Sequence, residues 1–156
     1  MEVAEKGRLT LSGLKQILLA TDLTAGSDVV AEAAVNLAAQ LEANLVVLHV
    51  VTEEVLEKTR DSLPKEASYV DVILEQLARD LKEQIGRNSD QIPPACSFRV
   101  VEGDPSALIL ETLNKDNFDY AVIGVRNRSR VGKLILGSVT QDVLLGSMCP
   151  VVAVPT

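Results

Sequence analysis

Residues 120–155 read YAVIGVRNRSRVGKLILGSVTQDVLLGSMCPVVAVP, and the changes of period within this stretch decide the fold. It opens on a short apolar run, Tyr120 to Gly124, and closes on another, Val151 to Val154, which Pro155 ends. Continuous apolar runs of that length suit strands covered on both faces. Between them the chain is first polar and basic, from Gly124 to Leu136. Ser138 and Gln141 then stand in the S-x-x-Q spacing of a capping box, predicting a helix that reaches Leu145 before Gly146 and Pro150 stop it. A strand, a helix and a second strand in that order make a parallel pair, because parallel neighbours need a long crossover.

The same alternation runs back to the start of the chain. Gln16 to Leu23, Leu45 to Val51 and Ser97 to Val101 read as three earlier strands. Ala33, Ala34, Leu37, Ala38 and Leu41 repeat at helical spacing, so a helix opens at Ser27 or Asp28 and ends near Asn44. Pro64 suits the start of the next helix, whose apolar face is Val70, Ile73, Leu74, Leu77, Leu81 and Ile85 and whose stop is Gly86. After Gly103 turns the chain, Asp104 and Pro105 supply an N-cap and a first-turn proline for a helix running to about Asp116. Thr52 to Ser62 is charged and aperiodic, and Asn88 to Ala95, with Pro93 and Pro94, reads as a loop. The order β-α-β-α-β-α-β-α-β predicts an α/β protein: an open five-stranded parallel sheet with helices on both faces, in Rossmann-like arrangement. Residues 14–156 form its single domain and residues 1–13 a flexible N-terminal extension. Such sheets bind ligands beyond the carboxyl ends of their strands, here in the loops after the first and fourth.

Composition excludes several classes of function. With 15 Lys and Arg against 22 Asp and Glu, a formal charge of -7 opposes delocalised attraction to nucleic acid or anionic lipid. Tyr69, Phe98, Phe118 and Tyr120 are too few and too scattered to make a base-stacking platform. Cys96 and Cys149 have neither C-x-x-C nor Cys/His spacing, which points to buried thiols and to no metal site. No apolar run is long enough to span a membrane and Met1 to Gly13 builds no signal segment, so a cytoplasmic protein is expected.

Three features meet at the expected ligand rim: Ala20, Thr21 and Asp22 after the first strand, His49 and Val50 at the end of the second, and Gly124 to Ser138 after the fourth. The third outlines an anion site. Glycine lets backbone approach a phosphate, Arg126, Arg128, Arg130 and Lys133 can pair with its oxygens, and a helix start at Ser138 offers free N–H groups. Each has a plainer reading. Asp22 can brace its own loop, Ser138 can be an N-cap that touches phosphate as well, the basic residues can be a solvated loop, and His49 reads as a satisfied core residue rather than a catalyst.

These residues resemble the nucleotide-binding branch of the universal stress protein family, whose fold is adenine nucleotide alpha hydrolase-like and whose fingerprint is G-x2-G-x9-G-[ST]. The chain reads Gly124-Val-Arg-Asn127, nine residues, then Gly137-Ser138. The likeness extends from about Lys15 to Pro155 through LLATDLT, LVVLHVV, EGDP, LGSVTQDVL and CPVVAVP. It implies an adenine nucleotide, ATP or AMP or ADP, with or without Mg2+. In that pattern Asp22 faces the ribose, the backbone at Val50 meets the adenine and Gly124, Gly137 and Ser138 meet the phosphates, with Ala20, Thr21, Arg126, Asn127, Val139 and Thr140 completing the nucleotide site. It further implies a regulatory homodimer in stress response, joined through the edge strand Val151 to Val154. The chain departs from the pattern at Asn127, in place of the second glycine, and at Ala20, in place of the usual proline.

Other readings stay open: an interaction dimer with no nucleotide, a slow ATPase, a phosphoacceptor receiver at Asp22, or a nucleotidylyl transferase or flavoprotein subunit. No catalytic residue is assigned. One histidine allows no H-x-G-H pair, no G-x-x-x-x-G-K-[ST] loop occurs, and no acidic cluster stands beside Asp22 to hold magnesium.

Overall fold

The computed structural model describes residues 15–62, 68–87, 95–126 and 136–156. Its strands are β1 (Gln16–Ala20), β2 (Asn44–Val51), β3 (Cys96–Glu102), β4 (Tyr120–Val125) and β5 (Val151–Pro155), and every pairing among them is parallel. The order across the sheet is β3-β2-β1-β4-β5. Its helices are α1 (Ser27–Gln40), α2 (Glu53–Thr59), α3 (Tyr69–Arg87), α4 (Pro105–Lys115) and α5 (Ser138–Gly146), with a 3-10 turn at Arg60–Ser62.

Strands that face helices on both sides bury alternate residues in different cores. Ile17, Leu19, Leu45, Val47 and Val122 meet α1 and Ile73 of α3, whereas Leu18, Val46, Leu48, Ala121 and Ile123 meet Ile109 and Leu113 of α4 and Val143 of α5. The doubly covered sheet expected from the apolar runs is therefore what forms. Among the described residues, no helix is long and apolar enough to cross a membrane.

Several local expectations are corrected. β1 stops at Ala20 rather than Leu23: Leu23 takes a left-handed φ of 58°, which ends any strand. α1 opens at Ser27 as expected, with Gly26 as its N-cap at φ 92°, but it ends at Gln40 rather than near Asn44, which instead begins β2. The charged stretch after β2 contains a helix, α2, whose first amides at Val55 and Leu56 both donate to the Thr52 carbonyl. Its acids Glu53 and Glu54 at the start and Lys58 at the end complement the helix dipole. The capping box at Ser138 does not form. Gly137, extended at φ -65° and ψ 159°, is the N-cap and its carbonyl accepts from Gln141 N, so Ser138 is already the first helical residue. The Asp104 cap does form, its Oδ1 accepting from Ala107 N at 2.8 Å. Backbone continues helical through Gly86 to Arg87; the start proposed at Pro64, the loop at 88–94 and the N-terminal extension lie outside the described residues.

The order β3-β2-β1-β4-β5 reverses direction between β1 and β4, with connections leaving to opposite sides. The two crossovers part there and leave a crevice at the carboxyl ends of the strands.

Candidate functional site

A cleft of about 440 Å³ occupies that crevice. Ala20, Thr21 and Asp22 line it from the end of β1, Val50 from β2, Gly124 and Arg126 from β4, and Gly137, Ser138, Val139 and Thr140 from the start of α5. Every candidate read from the sequence is thus gathered at one place except Asn127, which lies outside the described residues together with Arg128, Arg130 and Lys133. Leu48, Ile109, Ile123 and Val143 supply buried apolar wall, and the volume suits a ligand of drug or nucleotide size.

The first turn of α5 holds the anion-binding potential. Its leading N–H groups have no partner within a helix, and here that turn is Ser138, Val139 and Thr140 on the cleft wall. Thr140 Oγ1 donates to the Gly124 carbonyl at 3.3 Å, tying the turn to the end of β4. Among the described residues a Cβ added at Gly137 would meet nothing within 4 Å, which leaves the backbone there open to an approaching group. At Gly124 a Cβ would instead come within 3.0 Å of Val30 Cγ2 on α1. The two glycines of the fingerprint therefore serve different ends, approach at one and helix packing at the other.

The loop after β1 is held by its own side chains. Asp22 Oδ1 accepts from Thr24 N at 3.0 Å and from Thr24 Oγ1 at 2.7 Å, closing an Asx turn around Leu23. From the end of β4, Arg126 Nη2 reaches across to donate to Asp22 Oδ2 at 2.9 Å and to Thr24 Oγ1. Partial burial pushes the Asp22 pKa up, but the Thr24 hydroxyl and amide and then the Arg126 guanidinium outweigh it and hold the carboxyl below the ordinary aspartate range. His49, buried at 9% exposure, places Nδ1 2.8 Å from the Thr21 carbonyl. A carbonyl only accepts, so Nδ1 carries the hydrogen and fixes the tautomer.

Several lining residues were not anticipated. Thr24, Gly26 and Ser27 enter because the Asx turn leads straight into α1, Val55 because α2 exists, and Thr156 because its amide donates to the Val125 carbonyl at 2.9 Å and so stays beside β4. The Asp-x-Thr pattern at Asp22 and Thr24 was the one signal in the sequence that could have revealed Thr24.

Chemically, the described lining offers one carboxylate, Asp22, one guanidinium, Arg126, the imidazole of His49, amide donors at α5 and an apolar slot. That set can bind an amphipathic anion. Among the described residues no group of three or more His, Cys, Asp or Glu could hold a metal ion.

The universal stress protein family model matches residues 13–155 of the chain. Universal stress protein MJ0531 of Methanocaldococcus jannaschii is 27% identical over 145 residues, covering 90% of this chain and 81% of the relative. Among solved structures, a universal stress protein in complex with cAMP superposes with a TM-score of 0.61 at 19% identity, over 91% of this chain and 97% of that one. The universal stress protein from Archaeoglobus fulgidus in complex with dAMP gives 0.56 at 15% identity, over 90% and 96%. At those identities the structural likeness concerns the fold.

Proposed function

This chain belongs to the universal stress protein family, and from that premise we propose that it is a regulatory protein of the cytoplasm that binds ATP or a related adenine nucleotide in the cleft between β1 and β4. The observation that carries this reading is the convergence of the open first turn of α5, the Arg126 guanidinium and an apolar slot on one cleft at the switch point of the sheet. Relatives whose structures hold cAMP and dAMP support an adenine ligand. Adenine lies along Val50, the ribose near Asp22, and the phosphates at Gly124, Gly137, Ser138, Val139 and Thr140. Any Mg2+ is carried by the phosphates and water, since Asp22 is the one acidic side chain among the described lining residues. Mass spectrometry of protein denatured after gentle purification tests the reading. Release of an adenine nucleotide is expected, and an empty protein that also gives no heat with ATP, ADP or AMP sinks it.

The position of Asn127 makes a sharper test. Asparagine is the side chain that best tolerates a glycine-type turn, and if at this fingerprint position it does no more than crowd a phosphate, Asn127→Gly removes the obstruction at no cost to the backbone. Affinity should rise most for ATP and least for adenosine in calorimetric titration. A fall for ATP alone would instead identify the Asn127 amide as a phosphate donor, a contact worth about 1 kcal/mol.

The protein assembles as a homodimer through β5 and serves the response to stress. β5 is an edge strand whose outer backbone groups have no neighbour within the sheet, Val152 is 37% exposed, and Leu145 and Met148, just before the strand, are 80% and 85% exposed. Val152→Lys should raise the dimer dissociation constant at least tenfold and leave nucleotide affinity unchanged. Light scattering over a concentration series checks this, and a wild-type mass that stays monomeric at micromolar concentration contradicts it.

A further inference from the structure

The loop after β1 and the end of β4 are tied together at the cleft by the Arg126 side chain. Arg126 Nη2 bonds both Asp22 Oδ2, at 2.9 Å, and Thr24 Oγ1, while the other oxygen of Asp22 accepts two bonds from Thr24. The arrangement holds Leu23 at φ 58°, a conformation unfavourable for a leucine without such support. It also engages the carboxylate that would receive a ribose hydroxyl and the guanidinium that would receive a phosphate.

On the reading of the cleft as an adenine-nucleotide site, we propose that Arg126 is an exchangeable pin: it pairs with Asp22 and Thr24 until a ligand phosphate takes over its guanidinium, so that phosphorylated ligands are selected over bare nucleosides. The exchange follows from partner chemistry. A phosphate gives arginine charge-assisted bonds at least as good as those of a carboxylate, so a nucleotide replaces what it disrupts and frees Asp22 for the ribose. A nucleoside competes for Asp22 and offers the guanidinium nothing. The pair is accessible enough to open, with side-chain exposures of 44% for Arg126 and 62% for Asp22. Exposed ion pairs are weak, which makes the pin easy to exchange and its effect on a nucleoside about two- to fivefold rather than hundredfold.

Calorimetry with adenosine, AMP and ATP on the full chain and its Arg126→Gln variant tests the pin, together with an NMR titration of the Asp22 carboxyl carbon in the absence of nucleotide. In the variant, adenosine should tighten about two- to fivefold and ATP weaken by at least as much, while the Asp22 titration moves to higher pH. ATP weakening with adenosine unchanged would make Arg126 a phosphate ligand only, and equal weakening of all three ligands would make it a brace of the cleft; either result overturns the proposal. So does an Asp22 titration indifferent to the substitution, which denies the contact itself. If the Asp22 titration responds but neither protein binds any of the three ligands, the nucleotide reading has failed and selection by the pin falls with it.

Discussion

Gly137→Val is expected to cut ATP affinity roughly 30- to 150-fold, the loss of about 2–3 kcal/mol of charge-assisted bonding between phosphate and the amides of the first turn of α5. The fold should survive it. A Cβ at Gly137 meets nothing within 4 Å among the described residues, and φ -65° with ψ 159° lies in a region open to any L-residue. What remains is the cost of replacing glycine by a β-branched residue at an N-cap, about 0.5–1 kcal/mol. Melting should therefore fall by only about 1–4 °C for a chain of this size. Calorimetry beside a thermal melt checks both halves, and ATP affinity unchanged in a folded variant would place the phosphates elsewhere.

The matching substitution at the other fingerprint glycine should fail in the opposite way. Gly124 lies against α1, where an added Cβ would stand 3.0 Å from Cγ2 of Val30, itself only 4% exposed. Val30 has little freedom to move aside, and a valine at 124 carries two further methyl groups into the same space. Overpacking of this kind costs about 2–3 kcal/mol, so Gly124→Val should lower the melting temperature by about 5–10 °C. Nucleotide binding should weaken mainly as the fold loosens. Trimming the obstructing partner in Gly124→Val/Val30→Ala should recover more than half of the loss, and no recovery would show that the contact with α1 is not its cause.

The difference between those glycines also marks how far the sequence could be read. Strands β2 and β4 were plain because residues buried on both faces leave continuous apolar runs, and Asp104 with Pro105 named the start of α4 because that cap is a side-chain bond. The starts of α1 and α5 were legible to within a residue, but the groups that cap them were not. At Gly26 and Gly137 the cap is a backbone conformation, and composition does not distinguish a glycine that caps from the serine that follows it. α2, at seven residues, is shorter than the window over which a helical period becomes visible. Asp22 and Arg126 were both singled out for a ligand, but their pairing across 104 positions of sequence came only from the strand order that sets β1 beside β4. Thr24 was overlooked because its role exists only once Leu23 adopts a left-handed turn.

The bond from His49 to the Thr21 carbonyl gives the chain a built-in reporter. His49 is the single histidine, so its imidazole contributes one uncrowded set of magnetic resonance signals. With Nδ1 bonded to the carbonyl that directly precedes Asp22, the hydrogen on Nδ1 reports on that contact. Any ligand that displaces the loop after β1 lengthens that bond and shifts the resonance. Occupancy of the cleft could thus be followed without a label, in dilute protein, from one proton.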